Sequence, residues 1–119
     1  MNQVMMELKF DKIGNVLKIT VDGRLVAACS EEFKETVSGW LADNRFLLFD
    51  LSQMNHIDSS GLGALVYVLQ KANAQDGSAK LACLQPRPRI VFDITKVYRI
   101  FEIFDSVDAA LASFGAEAK

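Results

Sequence analysis

The sequence predicts an α/β fold: a mixed sheet of four to five strands with about four helices packed mainly on one face. Three observations lead there. The opening segments "MELKF" and "NVLKITVDG" alternate apolar and polar residues with a period of two. "RFLLFDL" is a continuous apolar run, and segments of helical period alternate with short strand-like runs through the rest of the chain. Strands interleaved with helices imply helices laid against a sheet.

Taken in order, Leu8 and Phe10, then Val16 or Leu17, Ile19 and Val21, read as the apolar face of a strand pair turning at Gly14 and Asn15. "SEEFKETVSGWLADN" reads as the first helix. Ser30 is its predicted N-cap, Glu31 and Glu32 sit where the helix dipole favours carboxylates, and Asn44 is the stop. Phe33, Val37, Trp40 and Leu41 share one face, and Gly39 costs about 1 kcal/mol relative to alanine. The "FLLF" run predicts a central strand buried on both faces. Leu62, Leu65, Val66, Leu69 and Ala72 then repeat at helical spacing, "NAQDGSA" is a turn and "AKLACL" a strand. Pro86 and Pro88 punctuate the chain before a short helix through Ile90, Val91, Ile94 and Val97. "IFEIF" reads as a short strand, and "SVDAALASF" as a last helix capped by Ser106. The predicted core is Phe10, Ile19, Val21, Leu47, Phe49, Leu65, Leu69, Leu81, Ile90, Phe92 and Ile94.

Composition narrows the function. At 119 residues, half of them hydrophobic, the chain is long enough to bury a core as one domain, 1–119, and no linker or repeat divides it. Net charge is −2 without a basic run, which argues against nucleic-acid or anionic-membrane partners. Cys29 and Cys83 match no metal-ligand spacing, and with one histidine in the chain a zinc site is not expected. The opening "MNQVMMELKFDK" lacks the pattern of a secretory leader, and no run reaches the roughly 18 apolar residues of a membrane span. The expectation is a reduced, cytoplasmic domain without metal or cofactor.

The segment "DLSQMNHIDSSGLGALVYVL" concentrates the functional signal. A nucleophile elbow needs glycine two before and two after its serine. Ile57 precedes Ser59 by two and Asp58 precedes Ser60 by two, and His56 is too near along the chain to serve as base. It reads as an exposed loop residue. "GLG" alone is a weak nucleotide signal, with no P-loop or dinucleotide fingerprint around it. Gly61 and Gly63 relieve crowding where helix meets sheet, or leave backbone beside Ser59 open to a partner. Asp58, Ser59 and Ser60 exceed what one N-cap requires. A serine at a helix N-terminus also sits where N–H groups and the dipole stabilise a phosphate, which would add roughly −1.5 to −2 charges beside Asp58.

The same run closely resembles the signature of the bacterial anti-sigma factor antagonists, the STAS domain family. There a strand ending D-x-S leads to a hydrophobic-D-S-[ST]-G-[LIVM]-G motif. Asp50, Ser52, Ile57, Asp58, Ser59, Ser60, Gly61, Leu62 and Gly63 meet every fixed position. The resemblance covers nearly the whole chain, with "VDGRLVAACSEEFKETV" similar to the family's G-x-L-D segment and first helix. "RIVFDITKVYRIFEIFDSVDAAL" is similar to its closing helix, strand and helix. Val26 stands where that family often has the aspartate of G-x-L-D, and Lys96 where a glycine usually follows the "FDIT"-like turn.

What the resemblance implies is a binding protein with no catalytic role. Ser59 is the phosphorylated position; Asp58, Ser60, Gly61, Leu62, Gly63, Arg24 and Val26 belong to the switch or partner surface. The implied partners are an anti-sigma factor that is also a serine kinase with a histidine-kinase-like ATPase fold, and a metal-dependent serine phosphatase. The competing reading is a non-phosphorylated STAS subunit of a transport ATPase or stress-sensing assembly.

Overall fold

The computed structural model describes residues 5–119. Residues 1–4, the start of the segment read as no secretory leader and of the 1–119 domain, lie outside the described residues. The hairpin forms where the period-two alternation places it: β1 (Met6–Ile13) runs antiparallel to β2 (Val16–Leu25), turning at Gly14 and Asn15. Then follow α1 (Ala27–Leu41), β3 (Phe46–Asp50), β4 (Met54–Ile57), α2 (Ser59–Ala74), β5 (Ser78–Ala82) and α3 (Pro86–Thr95). A 3-10 turn (Val97–Arg99), the two-residue β6 (Ile103–Phe104), α4 (Val107–Phe114) and a second 3-10 turn (Gly115–Ala118) close the chain.

The sheet order is β1-β2-β3-β5-β6, parallel from β2 onward, and β4 pairs with the far end of β2. Ten-residue β2 is the organising strand. Its first half pairs with β3 and its last residues with β4, across a register shift between Gly23 and Arg24. At Gly23 φ is +106°, and a Cβ would collide with the Met5 carbonyl oxygen, so the irregularity requires glycine. β3 occupies the centre, and its continuous apolar run is used on both faces. Leu47 and Phe49 face the larger core under α1, α2 and α3, while Leu48 faces a smaller cluster under α4 with Val16, Ala82, Ala110 and Phe114.

Three core residues predicted from the sequence are on the surface: Phe10 is 60% exposed, Ile90 57% and Ile94 76%. Phe10 lies on the sheet's edge strand, where the ring of Trp40, 5.2 Å away, is its aromatic cover. In α3 the buried side chains are Pro88 and Phe92, one turn apart, and the residues two positions to either side of Phe92 are rotated about 200° away from it, out of the core. The first helix also starts earlier than its polar residues suggest. Its N-cap is Val26 rather than Ser30, and Ser30 is buried within the helix with its hydroxyl donating to the Ala27 carbonyl at 3.3 Å. Glu31 and Glu32 therefore lie beyond the first turn. The helix ends at Leu41 with Ala42 as its C-cap, short of the expected stop at Asn44, whose side chain nonetheless donates to the Trp40 carbonyl at 2.9 Å. His56, read as a loop residue, is on β4; the sequence reading has no strand there, since two exposed residues separate Met54 from Ile57.

Lys96 ends α3 with φ +60°, the left-handed conformation in which glycine has no steric penalty. The lysine therefore stands at a position whose backbone suits glycine, the residue that the family resemblance implies there.

Candidate functional site

The site forms where β2 and β4 end side by side and α1 and α2 begin. Asp58 joins them. It is the N-cap of α2, with Oδ1 accepting from the Gly61 N–H at 2.9 Å, while Oδ2 accepts from the Ala27 N–H of α1 at 3.0 Å. Its own N–H donates to the Leu25 carbonyl at 3.3 Å, and its carbonyl accepts from Leu62 at 2.9 Å. Partial burial works against the carboxylate. The N–H groups of Gly61, Ala27 and Ser60 and the nearby His56 outweigh that burial and hold its pKa below the usual carboxylate value.

That depression has a sign and a pH window. A carboxylate with a folded pKa below its unfolded value of about 3.9 stabilises the fold fully above that value. The contribution disappears as pH falls through the lower folded pKa. Asp58→Asn leaves an amide whose nitrogen cannot accept, so one of the two N–H groups loses its partner. The variant is expected to be less stable than wild type by about 1–2 kcal/mol at neutral pH. Urea unfolding followed from neutral pH downward should show the difference shrinking below about pH 4.

With Asp58 as cap, α2 starts at Ser59, three residues before the Leu62 start implied by the apolar period, and Ser60 is not the capping residue. Ser59 and Ser60 are exposed, and among the described residues neither side chain makes a hydrogen bond. The two glycines have different roles. Gly61 is buried, and a Cβ there would collide with the Leu25 carbonyl oxygen and stand 2.7 Å from its carbonyl carbon. Gly63 is exposed, and among the described residues a Cβ would meet nothing within 4 Å. Leu62, 4% exposed, belongs to the core.

Ser59, Ser60 and Gly63 open onto a broad groove of about 690 Å³ that Lys34, Tyr67, Thr95 and Val97 also line. Tyr67 is 40% exposed, with the Lys34 and Lys71 ammoniums 5.2 and 5.4 Å from its ring centre. Lys34 pairs with Glu31 at 2.8 Å, and that hydrogen bond raises its pKa. These groove residues are not among those expected from the sequence, although a signal for them exists. Gly63, Tyr67 and Gln70 are spaced four and three apart on the face of α2 opposite Leu65 and Leu69.

The two outlying predicted residues fall differently. Val26 is at the site's base: its side chain is in the core, and the next residue donates the bond to Asp58. Arg24 is exposed on β2 opposite His56 of β4, and it does not line the groove that holds Ser59. Among the described residues no group of three His, Cys, Asp or Glu side chains could hold a metal ion. No described helix is long and apolar enough to cross a membrane.

Fold and site together define a small α/β domain that presents a serine-bearing helix N-terminus on an open surface. The chain belongs to the STAS domain family, whose profile matches residues 7–110. It is 29% identical over 110 residues to BtrV of Bordetella bronchiseptica, named as an anti-sigma factor antagonist; the match spans 92% of this chain and 95% of that one. Its fold is similar to that of a Thermotoga maritima protein described as an anti-sigma factor antagonist, with TM-score 0.84 and 21% identity over 89% of this chain and 92% of that one. It is also similar to the anti-sigma factor antagonist SpoIIAA. The unphosphorylated form gives TM-score 0.78 and 16% identity over 91% of this chain and 96% of that one. The phosphorylated Bacillus form gives 0.70 and 16% over 91% and 99%.

Proposed function

We propose that this chain is a cytoplasmic anti-sigma factor antagonist, acting as one domain over residues 1–119 and switched by phosphorylation of Ser59. The observation that carries the proposal is the division of labour at the start of α2. Asp58 caps the helix, so the exposed Ser59 hydroxyl is left unused by the fold. The relation to BtrV supports the antagonist role, and the existence of SpoIIAA in phosphorylated and unphosphorylated forms supports the switch.

In this reading the unphosphorylated surface at Ser59, Ser60 and Gly63 docks against an anti-sigma factor, a serine kinase of histidine-kinase-like ATPase fold, and frees its client. The kinase transfers the γ-phosphoryl group of ATP to the Ser59 oxygen, releasing ADP. A metal-dependent serine phosphatase hydrolyses the ester and restores the hydroxyl. The phosphate suits the helix dipole, so the fold survives. A docked partner would have to desolvate that charge, so the interface does not survive. The chain is substrate and ligand and performs no catalysis of its own. Phosphosite analysis of the protein recovered from its host, with co-purifying partners identified, tests this. Phosphate on Ser59 together with a kinase of this class is expected; phosphate confined to other residues would overturn it.

Val26 offers a second test, because the resemblance to the family's G-x-L-D segment implies an aspartate there. Val26→Asp exchanges core packing for a cap on α1 and sets a second, largely buried carboxylate near Asp58, a net loss of about 2 kcal/mol or more. The variant should stay folded, with the phosphorylation rate or kinase affinity changed several-fold. If both are unchanged, the position contributes packing alone.

A further inference from the structure

The exposure of Phe10 has a structural context beyond the thinning of helix cover. β1 is an eight-residue strand that pairs, among the described residues, with β2 alone, so its outer edge presents backbone groups for another strand. On the α1–α3 side of the sheet Leu8 packs against the core, while Phe10, still largely exposed, touches the ring of Trp40 in α1. On the opposite side Lys9 and Asp11 are held loosely, Lys9 at 3.6 Å from Asp22 and Asp11 at 4.0 Å from Lys18.

We propose that β1 is a self-association edge, on which a second copy of this chain pairs antiparallel with Phe10 opposite Phe10 on a two-fold axis. An antiparallel pair that joins the two sheets into one, with α1 to α3 of both copies on the same face, must set one residue opposite itself. With the axis at Phe10, Lys9 of each copy faces Asp11 of the partner subunit, giving two opposite-charge cross-strand pairs. Moving the axis one residue either way sets Lys9 against Lys9 or Asp11 against Asp11, both repulsive. The same axis joins the two Phe10 rings and their Trp40 neighbours into one aromatic cluster, covering the largest apolar side chain the sheet leaves exposed. The strand's charges, which ordinarily guard an edge, here select a register. The surface uses no residue of the Ser59 groove.

The test is the mass of the full chain in solution by light scattering or sedimentation, from low to high micromolar concentration. A concentration-dependent dimer is expected. Phe10→Lys should abolish it, and folding of that variant is checked by urea unfolding. Asp11→Lys should weaken it about tenfold or more, and the fourfold reversal Lys9→Asp, Asp11→Lys, Lys18→Asp and Asp22→Lys, which keeps the pairs within the chain as well as those between copies, should restore it. Mild oxidation of Phe10→Cys in a Cys83→Ser background should cross-link two copies, because directly opposed residues have the spacing a disulfide needs. A monomer at every concentration would overturn the proposal. So would a dimer unaffected by Phe10→Lys, or one that cross-links through Lys9→Cys and not through Phe10→Cys. Ser59→Ala should leave the mass unchanged, which separates this result from any result at the switch.

Discussion

Gly61→Ala is expected to destabilise the domain by about 3 kcal/mol or more, whereas Gly63→Ala should stabilise it by up to about 1 kcal/mol. At Gly61 the added methyl group meets the Leu25 backbone carbonyl and stands 3.0 Å from the Ile57 side chain. Relief requires the start of α2 to move off β2. That movement stretches the Asp58 N–H bond to Leu25 and disturbs the carboxylate that ties α2 to α1. Gly63 has no such neighbour, so alanine there gains helix propensity without a clash. A helical glycine with open space around its α-carbon has no packing reason to be glycine. The proposed interface supplies one, since a flat backbone lets a partner approach Ser59. Gly63→Ala should therefore raise the urea midpoint while lowering partner affinity several-fold. Full affinity in a more stable Gly63→Ala protein would remove Gly63 from the interface.

Ser59 should separate binding from folding in the other direction. Ser59→Ala removes a hydroxyl that makes no hydrogen bond among the described residues, and Asp58 still caps the helix. Stability should change by less than about 0.5 kcal/mol, and the variant should be locked in the partner-binding form. Ser59→Glu places a carboxylate at the first residue of α2, where the dipole favours it, so it too should fold. Its affinity for the kinase partner should fall at least tenfold, about 1.4 kcal/mol. Isothermal titration of wild type and both variants against one partner preparation, with urea unfolding alongside, checks both halves. Equal affinities would leave Ser59 as an exposed residue of a capped helix in a STAS interaction domain.

The sequence is most legible where side-chain period and backbone geometry agree. The β1–β2 alternation, the central "FLLF" strand and the Ser106 cap, which accepts from the Ala109 N–H at 3.0 Å, are all where the pattern puts them. Errors fall where tertiary context decides. Alternation gives the face of Phe10 correctly, but it cannot say that β1 is an edge strand and that helix cover thins out at Phe10. Ile90 and Ile94 look like core because apolar residues in a short helix leave the choice of face open, and Phe92 takes it. Ser30 has a cap's chemistry, but the chain enters α1 directly from β2, and the Asp58 carboxylate, 31 residues on, satisfies the first N–H instead. That long-range bond is also why the motif was readable and its geometry was not. Asp58-Ser59-Ser60 shows a helix start with polar groups to spare. Only the fold assigns the carboxylate to two helices, Gly61 to close packing and Gly63 to the surface.

The central claim is that one phosphate on Ser59 breaks the partner interface while leaving the domain folded. It is tested most directly by phosphorylating the wild-type chain with its kinase and confirming Ser59 as the site. The separated phosphorylated and unphosphorylated forms are then titrated against that same kinase. The account predicts at least tenfold weaker binding by the phosphorylated form, with an unchanged circular dichroism spectrum. Equal binding by the two forms, or loss of binding accompanied by unfolding, would contradict it.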